Sequence, residues 1–558
     1  MHLLPRWNVL LCGIVLLLGA TALIHPYLRL RLTHPYVAKP WSPGRQGVQA
    51  DEPALPPPLP PLKYKPAPTY TVPPIQDPFP LLSQTSTPPP IPVYNVPAKD
   101  AWKQYDGLAV APPLLIGFTR NWPMLLQTVV SYLTAGWPAD QLYVVENTGT
   151  QQANARAQLS LQNPRFLNHT QLRDVLGVRV VQTPVLLSFA QLQNFFLALS
   201  YEHGWPYYFW SHMDVVALSH EDGVPGLTEP AGQPGYKSLY TLCLETLQQT
   251  LRSNSNSSSS DDSSGGDITI PARSNKDRLR KFWPTPPSPK SPPSSAPPRW
   301  AARFFAYDHL TLQNPAALEA IGGWDTFIPY YMTDCDTYSR FAMDGWSVEP
   351  ADAGVITDTA AVFDDLRALY RDPAVTPRFT DPNPPPPPPE EKKKMDSHTE
   401  RRRRGRRSDG DSKAYYTPPS ASSTTSSTTT STQEKRISLL RQPPPPPPHQ
   451  QTKRDVPFPH EPLNTTLPTD YWWQLRREAD NMFHHKHGGA RGRNTWQWAQ
   501  AGGAGEPFHY DAAGFEEAVQ LLTEAGKQLF ARKWGHRGCD LGGRYRTGDQ
   551  WRVVRDWE

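Results

Sequence analysis

Short apolar runs alternate with amphipathic segments in the first half of the chain. Apolar runs of four or five residues bounded by turn residues are typical of buried strands, and apolar positions three or four apart are typical of helices. The pattern predicts strands at 114–118, 142–145, 178–181 and 207–210, and helices after residue 121 and over 189–201. Strands that alternate with helices in this way indicate a parallel sheet with helices on both faces.

The pattern stops and resumes twice. Residues 251–299 are rich in Ser, Asp and Pro, and residues 375–465 contain two hexaproline runs and a basic block. Such segments cannot bury enough apolar surface to offset chain entropy, so we expect both to be disordered insertions. Between them we predict a strand at 303–307 and a helix near 315–321. Residues 466–558 are expected to be a helical extension, with a helix over 514–534, that packs on the catalytic domain.

The N-terminus predicts a membrane anchor. Residues 9–25 are almost continuously apolar, at the lower limit of length for a spanning helix. The Pro-rich stretch that follows is a semi-rigid spacer, which has a purpose only if the anchor stays attached. A cleaved signal peptide is the alternative, because Ala20-Thr21-Ala22 resembles a cleavage site.

These patterns divide the 558 residues into eight predicted segments. They are a cytoplasmic tail (1–8), a transmembrane signal anchor (9–25), a Pro-rich stem (26–105), the first half of the α/β domain (106–250), an insertion (251–299), the second half of that domain (300–374), a linker (375–465) and the C-terminal extension (466–558).

Composition narrows the function classes. The net charge of +4 is small, and the conspicuous basic residues lie in a linker, not interleaved with aromatic residues, so nucleic acid is not an expected partner. Cys12 lies in the apolar segment, so at most one disulfide can form among Cys243, Cys335 and Cys539. There is no CxxC metal pair.

Polar side chains directly follow three of the predicted strands. Thr119 and Arg120 follow the first, Glu146 and Asn147 lie at the end of the second, and His212-Met213-Asp214 follows the fourth. In open α/β sheets, ligands bind beyond the carboxyl ends of the strands. The sequence therefore predicts one ligand site at this edge.

In the order of these motifs the chain resembles the GT-A glycosyltransferases, in particular the family 2-like group, and it is similar to uncharacterised fungal putative glycosyltransferases. The resemblance covers 112–245 and 300–373. It rests on Thr-Arg-Asn, Glu-Asn-Thr-Gly and His-Met-Asp after strands, followed by Gly-Gly-Trp-Asp and Asp-Cys-Asp. It implies the GT-A fold, a Rossmann-like mixed sheet flanked by helices, and a nucleotide-sugar donor.

The resemblance assigns roles to individual residues. It implies that the donor is bound by Thr119, Arg120, Glu146, Asn147, Gln191, Asn194 and Asp325. Asp334 matches the base that deprotonates the acceptor hydroxyl in inverting members, and Asp336 matches a supporting carboxylate. Helix capping is the alternative role for this pair, and retention of configuration stays open.

The resemblance also implies a divalent cation, Mn²⁺ or Mg²⁺, bridging the donor diphosphate. Asp214 is the expected ligand. His212 stands where the family has an aspartate, and imidazole can ligate Mn²⁺. His536 is a further candidate ligand. The His-rich run 484–487 is expected to be exposed.

The expected protein is a single-pass type II enzyme of the Golgi or endoplasmic reticulum, with a lumenal catalytic domain acting on a glycan, glycoprotein or glycolipid. The alternative is a degenerate GT-A domain that binds glycans or scaffolds other enzymes, because the first Asp of the metal motif is missing. A nucleotidyltransferase is disfavoured, because residues 119–122 lack the glycine of a phosphate loop.

Overall fold

The computed structural model describes residues 61–66, 74–84, 87–255, 299–380, 468–487 and 512–557. The predicted anchor, most of the stem and nearly all of both predicted insertions lie outside these ranges. Among the described residues, none of the helices is long and apolar enough to cross a bilayer. The chain divides into two units, Met1–Pro66 and Ala67–Glu558, and the helices and strands described below belong to the second.

The strands are bounded as follows: β1 Leu114–Phe118, β2 Leu142–Glu146, β3 Arg179–Gln182, β4 Tyr208–Ser211, β5 Val215–Leu218, β6 Arg299–Phe305, β7 Leu310–Gln313, β8 Trp346–Ala351 and β9 Val355–Asp358. The α-helices are α1 Pro80–Gln84, α2 Trp122–Thr134, α3 Gln151–Ala155, α4 Phe189–Glu202, α5 Leu239–Ser255, α6 Pro315–Ala320, α7 Thr333–Met343, α8 Pro468–His487 and α9 Ala512–Trp534.

In the described part of the chain, seven strands form one sheet in the order β3-β2-β1-β4-β7-β6-β8. The strands from β3 to β4 are parallel, as are β6 and β8, whereas β7 runs antiparallel to both of its neighbours. The predicted mixed sheet flanked by helices is therefore confirmed. Strands β5 and β9 pair with each other in a separate antiparallel sheet, which the sequence analysis did not foresee.

Alternating strand residues build two apolar layers, because successive side chains of a strand point to opposite faces. Leu114 and Ile116 of β1 belong to a core shared with α2, α5 and α8. Leu115, between them, belongs to a second core shared with α4, α6 and α7. Helices therefore cover both faces of the sheet, as the strand and helix pattern predicted.

Side chains that precede two of the helices explain where these begin. Asn121 caps α2 by accepting a hydrogen bond from the Met124 amide, and Pro123 occupies its first turn. The Ser188 hydroxyl caps α4 by accepting a hydrogen bond from the Gln191 amide, and the Gln191 side-chain oxygen accepts one from the Ser188 amide. Both helices thus begin directly beyond the edge of the sheet where ligands are expected.

The C-terminal segment forms a third apolar cluster with residues between α6 and α7 and at the start of α7. Phe530 and Trp534 of α9 are fully buried with Ile328. A disulfide joins Cys335 at the start of α7 to Cys539 beyond α9, and Cys243 is a buried free thiol in α5. This agrees with the expected limit of one disulfide.

A buried ion pair between Glu221 and Arg371 should control the stability of this fold. The Glu221 carboxylate also accepts hydrogen bonds from Tyr94 and Asn95. Glu221→Gln should lower the free energy of unfolding by about 3–5 kcal/mol in urea titrations, because it leaves a buried guanidinium without its counter-charge.

The matched control is Glu245→Gln, which disrupts the more exposed pair between Lys237 and Glu245. That change should cost about 1 kcal/mol or less, since solvent screens exposed pairs. Equal losses in the two variants would show that burial does not determine the value of these pairs.

Candidate functional site

Several loops converge at one edge of the large sheet. The parallel strands β1, β2 and β4 all end there, and β7 begins there, since Ser211 at the end of β4 pairs with Leu310 at the start of β7. The short turn Tyr307–His309, which joins β6 to β7, must lie at the same edge. The sheet topology therefore brings residues from both halves of the domain together.

Each residue of the turn Tyr307–His309 contacts a different part of this edge. Tyr307 donates a hydrogen bond to Asp334 (3.1 Å). Asp308 lies 3.6 Å from His212 and accepts a hydrogen bond from Tyr338 (2.9 Å). The third residue, His309, accepts hydrogen bonds through its backbone carbonyl from the Ser211 hydroxyl and the His212 amide.

The backbone of this turn is strained. Ala306 and Tyr307 have φ angles of 53° and 62°, a left-handed conformation that side chains other than glycine rarely adopt. Such strain persists only where the surrounding contacts hold the backbone in place, and it is concentrated at functional sites. The hydrogen bonds to the turn from Ser211 and His212 supply such contacts.

A buried charged cluster lies beside the turn, where the small sheet meets the large one. Asp214 directly precedes β5, and Asp358 ends β9 opposite Val215. Between the two carboxylates lies the ammonium of Lys486, 2.7 Å from Asp214 and 3.0 Å from Asp358. His487 also contacts Asp358, at 2.9 and 3.1 Å from its two oxygens.

Electrostatics keep this cluster ionised. Burial would raise the pKa of Asp214, but Lys486 and His212 outweigh it and hold that pKa below its usual range. The same balance depresses the pKa of Asp358, mainly through His309, His487 and Lys486. Burial lowers the pKa of Lys486, but the two carboxylates more than compensate and raise it. Burial dominates at His309, where it lowers the pKa to about 4.

The predicted divalent-cation site does not fit these residues. The Lys486 ammonium already contacts one oxygen of Asp214 and one of Asp358, so a divalent cation bound to both carboxylates would lie beside a positive charge. Among the residues the structure describes, no group of three or more His, Cys, Asp or Glu side chains is arranged to hold a metal ion. The Nδ1 atom of His212 lies 3.9 Å from Asp214, so His212 belongs to the cluster but is not arranged with it as a pair of metal ligands.

His536, the third proposed metal ligand, makes its ion pairs elsewhere. Its two ring nitrogens contact Asp540 and Asp556, both in the C-terminal segment. These pairs, chiefly as hydrogen bonds, outweigh the lowering effect of burial and raise the pKa of His536. The contacts assign this histidine a structural role in holding the segment after α9.

The two aspartates of Asp-Cys-Asp occupy opposite environments. Asp336 is fully buried and accepts hydrogen bonds from Arg340 and Trp534, with the Lys533 ammonium 2.6 Å from one oxygen. Asp334 is partly exposed and accepts one hydrogen bond, from Tyr307, so its Oδ1 atom accepts none from the described residues. Asp336 is therefore a structural counter-ion, and Asp334 is the carboxylate available to a ligand.

Glu146 is buried at the end of β2 and does not face a ligand. One of its oxygens accepts hydrogen bonds from Thr148 and Asn154, and the other contacts His169 and Gln182, all between 2.7 and 3.0 Å. These four contacts use the hydrogen-bonding capacity of the carboxylate. In this structure the side chain links the loops after β2, and a contact with a donor nucleoside stays a prediction that these hydrogen bonds do not favour.

The side-chain amides of Asn147 and Asn194 each donate one hydrogen bond to a backbone carbonyl and accept one from a backbone N–H. Asn147 exchanges hydrogen bonds with the backbone of Leu187, at 2.7 and 2.9 Å. Asn194 does the same with Trp324, at 2.8 and 2.9 Å. A Cβ atom on Gly323, whose φ is +74°, would lie 2.7 Å from the Asn194 side-chain oxygen. These contacts hold neighbouring loops in place, and the donor contact that the resemblance implied for both residues stays a prediction.

The remaining predicted donor residues divide into two groups. Gln191 is committed to the cap of α4, and Asp325 pairs with Lys533 at 2.6 Å and accepts a hydrogen bond from the Phe327 amide. Thr119 and Arg120 stand directly after β1 at the converging edge and are partly buried. Burial lowers the pKa of Arg120, and the positive charge of Arg165 lowers it further, whereas Tyr330 raises it. Positive charge is thus concentrated beside this strand end.

Sequence reasoning missed three acidic or basic members of the site. They are Asp308, Asp358 and Lys486. The sequence pattern could have predicted that Lys486 is buried. Four fully buried side chains of α8 recur at spacings of three and four residues, and Lys486 is the next position in that series. This apolar stripe consists of Trp472, Leu475, Ala479 and Met482. The run 484–487 was expected to be exposed, which is wrong for Lys486, whose side chain is 3% exposed.

Comparisons with known proteins do not show a family for this chain. No protein-family model and no curated protein matches the chain. One similar solved structure is the mannosyltransferase PcManGT from Pyrobaculum calidifontis in complex with GDP-Man and Mn²⁺, with 14% identity and a TM-score of 0.22, over 45% of this chain and 61% of that one. This chain thus spans less than two thirds of that structure, and at this TM-score the likeness carries no argument.

The contrast between Asp336 and Asp334 gives a stability prediction. Asp336→Asn should lower the free energy of unfolding by about 3–5 kcal/mol, because Lys533 and Arg340 lose a buried counter-charge. Asp334→Asn should cost about 1 kcal/mol or less, since it affects one hydrogen bond from Tyr307. Urea unfolding of both variants measures the difference, and equal losses would contradict the division of roles.

Proposed function

We propose that this protein is a glycosyltransferase of the GT-A type, which transfers a sugar from a nucleotide-diphospho-sugar to a glycan, protein or lipid acceptor. One observation carries the proposal. The turn Tyr307–His309 joins the Asp214 cluster to Asp334, so that the two regions implied by the motif resemblance form one contiguous site at the sheet edge. Open sheets bind ligands at this edge, where several loops meet.

The geometry of Asp334 suits a general base. Tyr307 holds one carboxylate oxygen and leaves Oδ1 to accept the proton of an acceptor hydroxyl. As that hydroxyl oxygen bonds to the anomeric carbon, the bond from this carbon to the phosphate oxygen breaks, and its electrons leave with the nucleoside diphosphate. Attack from the opposite side of the ring inverts the anomeric centre.

The donor diphosphate is assigned to the ends of β1 and β4. Arg120 follows β1, and a guanidinium can bind phosphate oxygens in bidentate fashion. Phe189 is partly exposed beside this site, with its ring centroid 6.2 Å from that of His212 and 5.6 Å from that of the buried Trp324. Rings in such an arrangement can pack against the apolar face of a sugar.

A lumenal location in the Golgi or endoplasmic reticulum, with attachment through residues 9–25, belongs to the same proposal. The disulfide between Cys335 and Cys539 supports it, since disulfides form and persist mainly in oxidising compartments. The disulfide also ties the C-terminal segment to α7, the helix that carries Asp334.

The test of function is a donor panel. Purified full-length chain should bind one of UDP-glucose, UDP-galactose, UDP-N-acetylglucosamine or GDP-mannose in a thermal-shift screen and release the nucleoside diphosphate slowly in the absence of acceptor. Asp334→Asn should leave donor binding intact and lower turnover by about 100-fold or more, because it removes the base.

Asp344→Asn is the matched control, since Asp344 caps the other end of the same helix and is more exposed. It should change neither binding nor turnover. Full turnover in the Asp334 variant would overturn the base assignment. Donor binding without turnover in the unaltered chain would favour the alternative of a degenerate domain, and no binding to any donor would overturn the proposed function.

A further inference from the structure

A lysine lies where a GT-A enzyme would be expected to hold its divalent cation. The Lys486 ammonium contacts Asp214 at 2.7 Å and Asp358 at 3.0 Å, and the three side chains are each less than a tenth exposed. A buried charge is tolerated only when opposite charges or hydrogen bonds compensate it. The ammonium and the carboxylates therefore require one another.

The lysine is a built-in part of the domain. It lies on α8, whose apolar stripe is fully buried in the core shared with β1 and α2. Trp472 in this stripe also donates a hydrogen bond from its indole nitrogen to the Ser219 carbonyl (3.0 Å). Because Lys486 continues the same stripe, α8 could withdraw the ammonium only by leaving the core.

A divalent cation and this ammonium compete for the same oxygens. Carboxylate ligands contact Mn²⁺ or Mg²⁺ at about 2.0–2.2 Å, so a metal bound to both aspartates would lie within repulsive distance of the ammonium. His487 also occupies both oxygens of Asp358. A divalent ion bound to these two carboxylates would therefore compete with Lys486 and His487 for the oxygens that they contact.

The ammonium also has hydrogen-bonding capacity to spare. It has three N–H donors, and in the described residues two of them are directed at Asp214 and Asp358. His212 lies beside Asp214, and its Nε2 atom is buried without a hydrogen-bond partner in the described part of the chain. Both groups are suited to phosphate oxygens arriving at the end of β4.

We infer that Lys486 is an internal replacement for the divalent cation, and that this site binds the diphosphate of its donor without any metal ion. The inference rests on the proposed function, since it concerns how the same donor is held. It assigns Lys486 as a binding residue and predicts that chelators do not inhibit the protein.

The first experiment needs no nucleotide. In Mn²⁺ titrations of the full chain followed by electron paramagnetic resonance, the unaltered chain should bind no stoichiometric Mn²⁺. Lys486→Ala should gain one Mn²⁺ per chain, because Asp214 and Asp358 lose their counter-ion, and adding Asp214→Asn should abolish the gain. The inference is overturned if the unaltered chain binds one Mn²⁺ that Asp214→Asn removes, or if Lys486→Ala folds and gains none.

The second experiment uses UDP, GDP and inorganic pyrophosphate as probes in calorimetric titrations. The unaltered chain should bind UDP or GDP equally in EDTA and in Mn²⁺. Lys486→Ala should bind about tenfold or more weakly in EDTA and recover in Mn²⁺, whereas Lys486→Arg, which keeps the charge, should retain most of the affinity. A requirement for Mn²⁺ in the unaltered chain, or unchanged binding by Lys486→Ala in EDTA, overturns the inference.

The two experiments separate the possible failures. If UDP, GDP and pyrophosphate fail to bind in either condition, the proposed function is overturned together with the diphosphate part of the inference. The Mn²⁺ titration of the unaltered chain still decides whether Lys486 excludes a metal ion. If Lys486→Ala does not fold, as judged by circular dichroism, Lys486→Arg and the unaltered chain carry both measurements.

Discussion

The antiparallel course of β7 is the constraint on which the candidate site depends. Because β7 runs against β4, the turn that precedes it lies at the edge where the parallel strands end. Without this reversal, Asp308 and His309 would lie on the opposite edge, far from His212. The left-handed backbone at Ala306 and Tyr307 is tolerated because the contacts of the turn at this edge hold it.

Burial and pairing give chemically identical carboxylates different roles. Asp336 and Asp214 are buried against lysines and bound to fixed partners. Glu146 is buried among four hydrogen-bonding neighbours and organises loops. Asp334 differs because it combines partial exposure with one oriented hydrogen bond, which leaves a lone pair for a reacting group. The environment, more than the motif, assigns the chemistry.

Apolar periodicity was sufficient to predict β1, both layers of helices and the edge where polar residues gather, because these features follow from burial along neighbouring residues. It did not predict the pairing of β5 with β9, which joins segments far apart in the sequence. The partners of Asp214 and Asp336 were missed for the same reason: Lys486 and Lys533 are supplied by helices beyond the long linker. Strand-end position located Glu146 correctly but did not reveal its hydrogen-bond partners.

The described C-terminal helices complete the candidate site. Lys486 on α8 balances the carboxylates at one end of the site, while Lys533 and Trp534 on α9 hold Asp336 at the other. Deleting α8 would remove the lysine from Asp214 and Asp358, and deleting α9 would leave Asp336 with Arg340 alone, in addition to the loss of apolar packing. The domain therefore extends past the linker, and residues on both sides of the linker contribute to one candidate site.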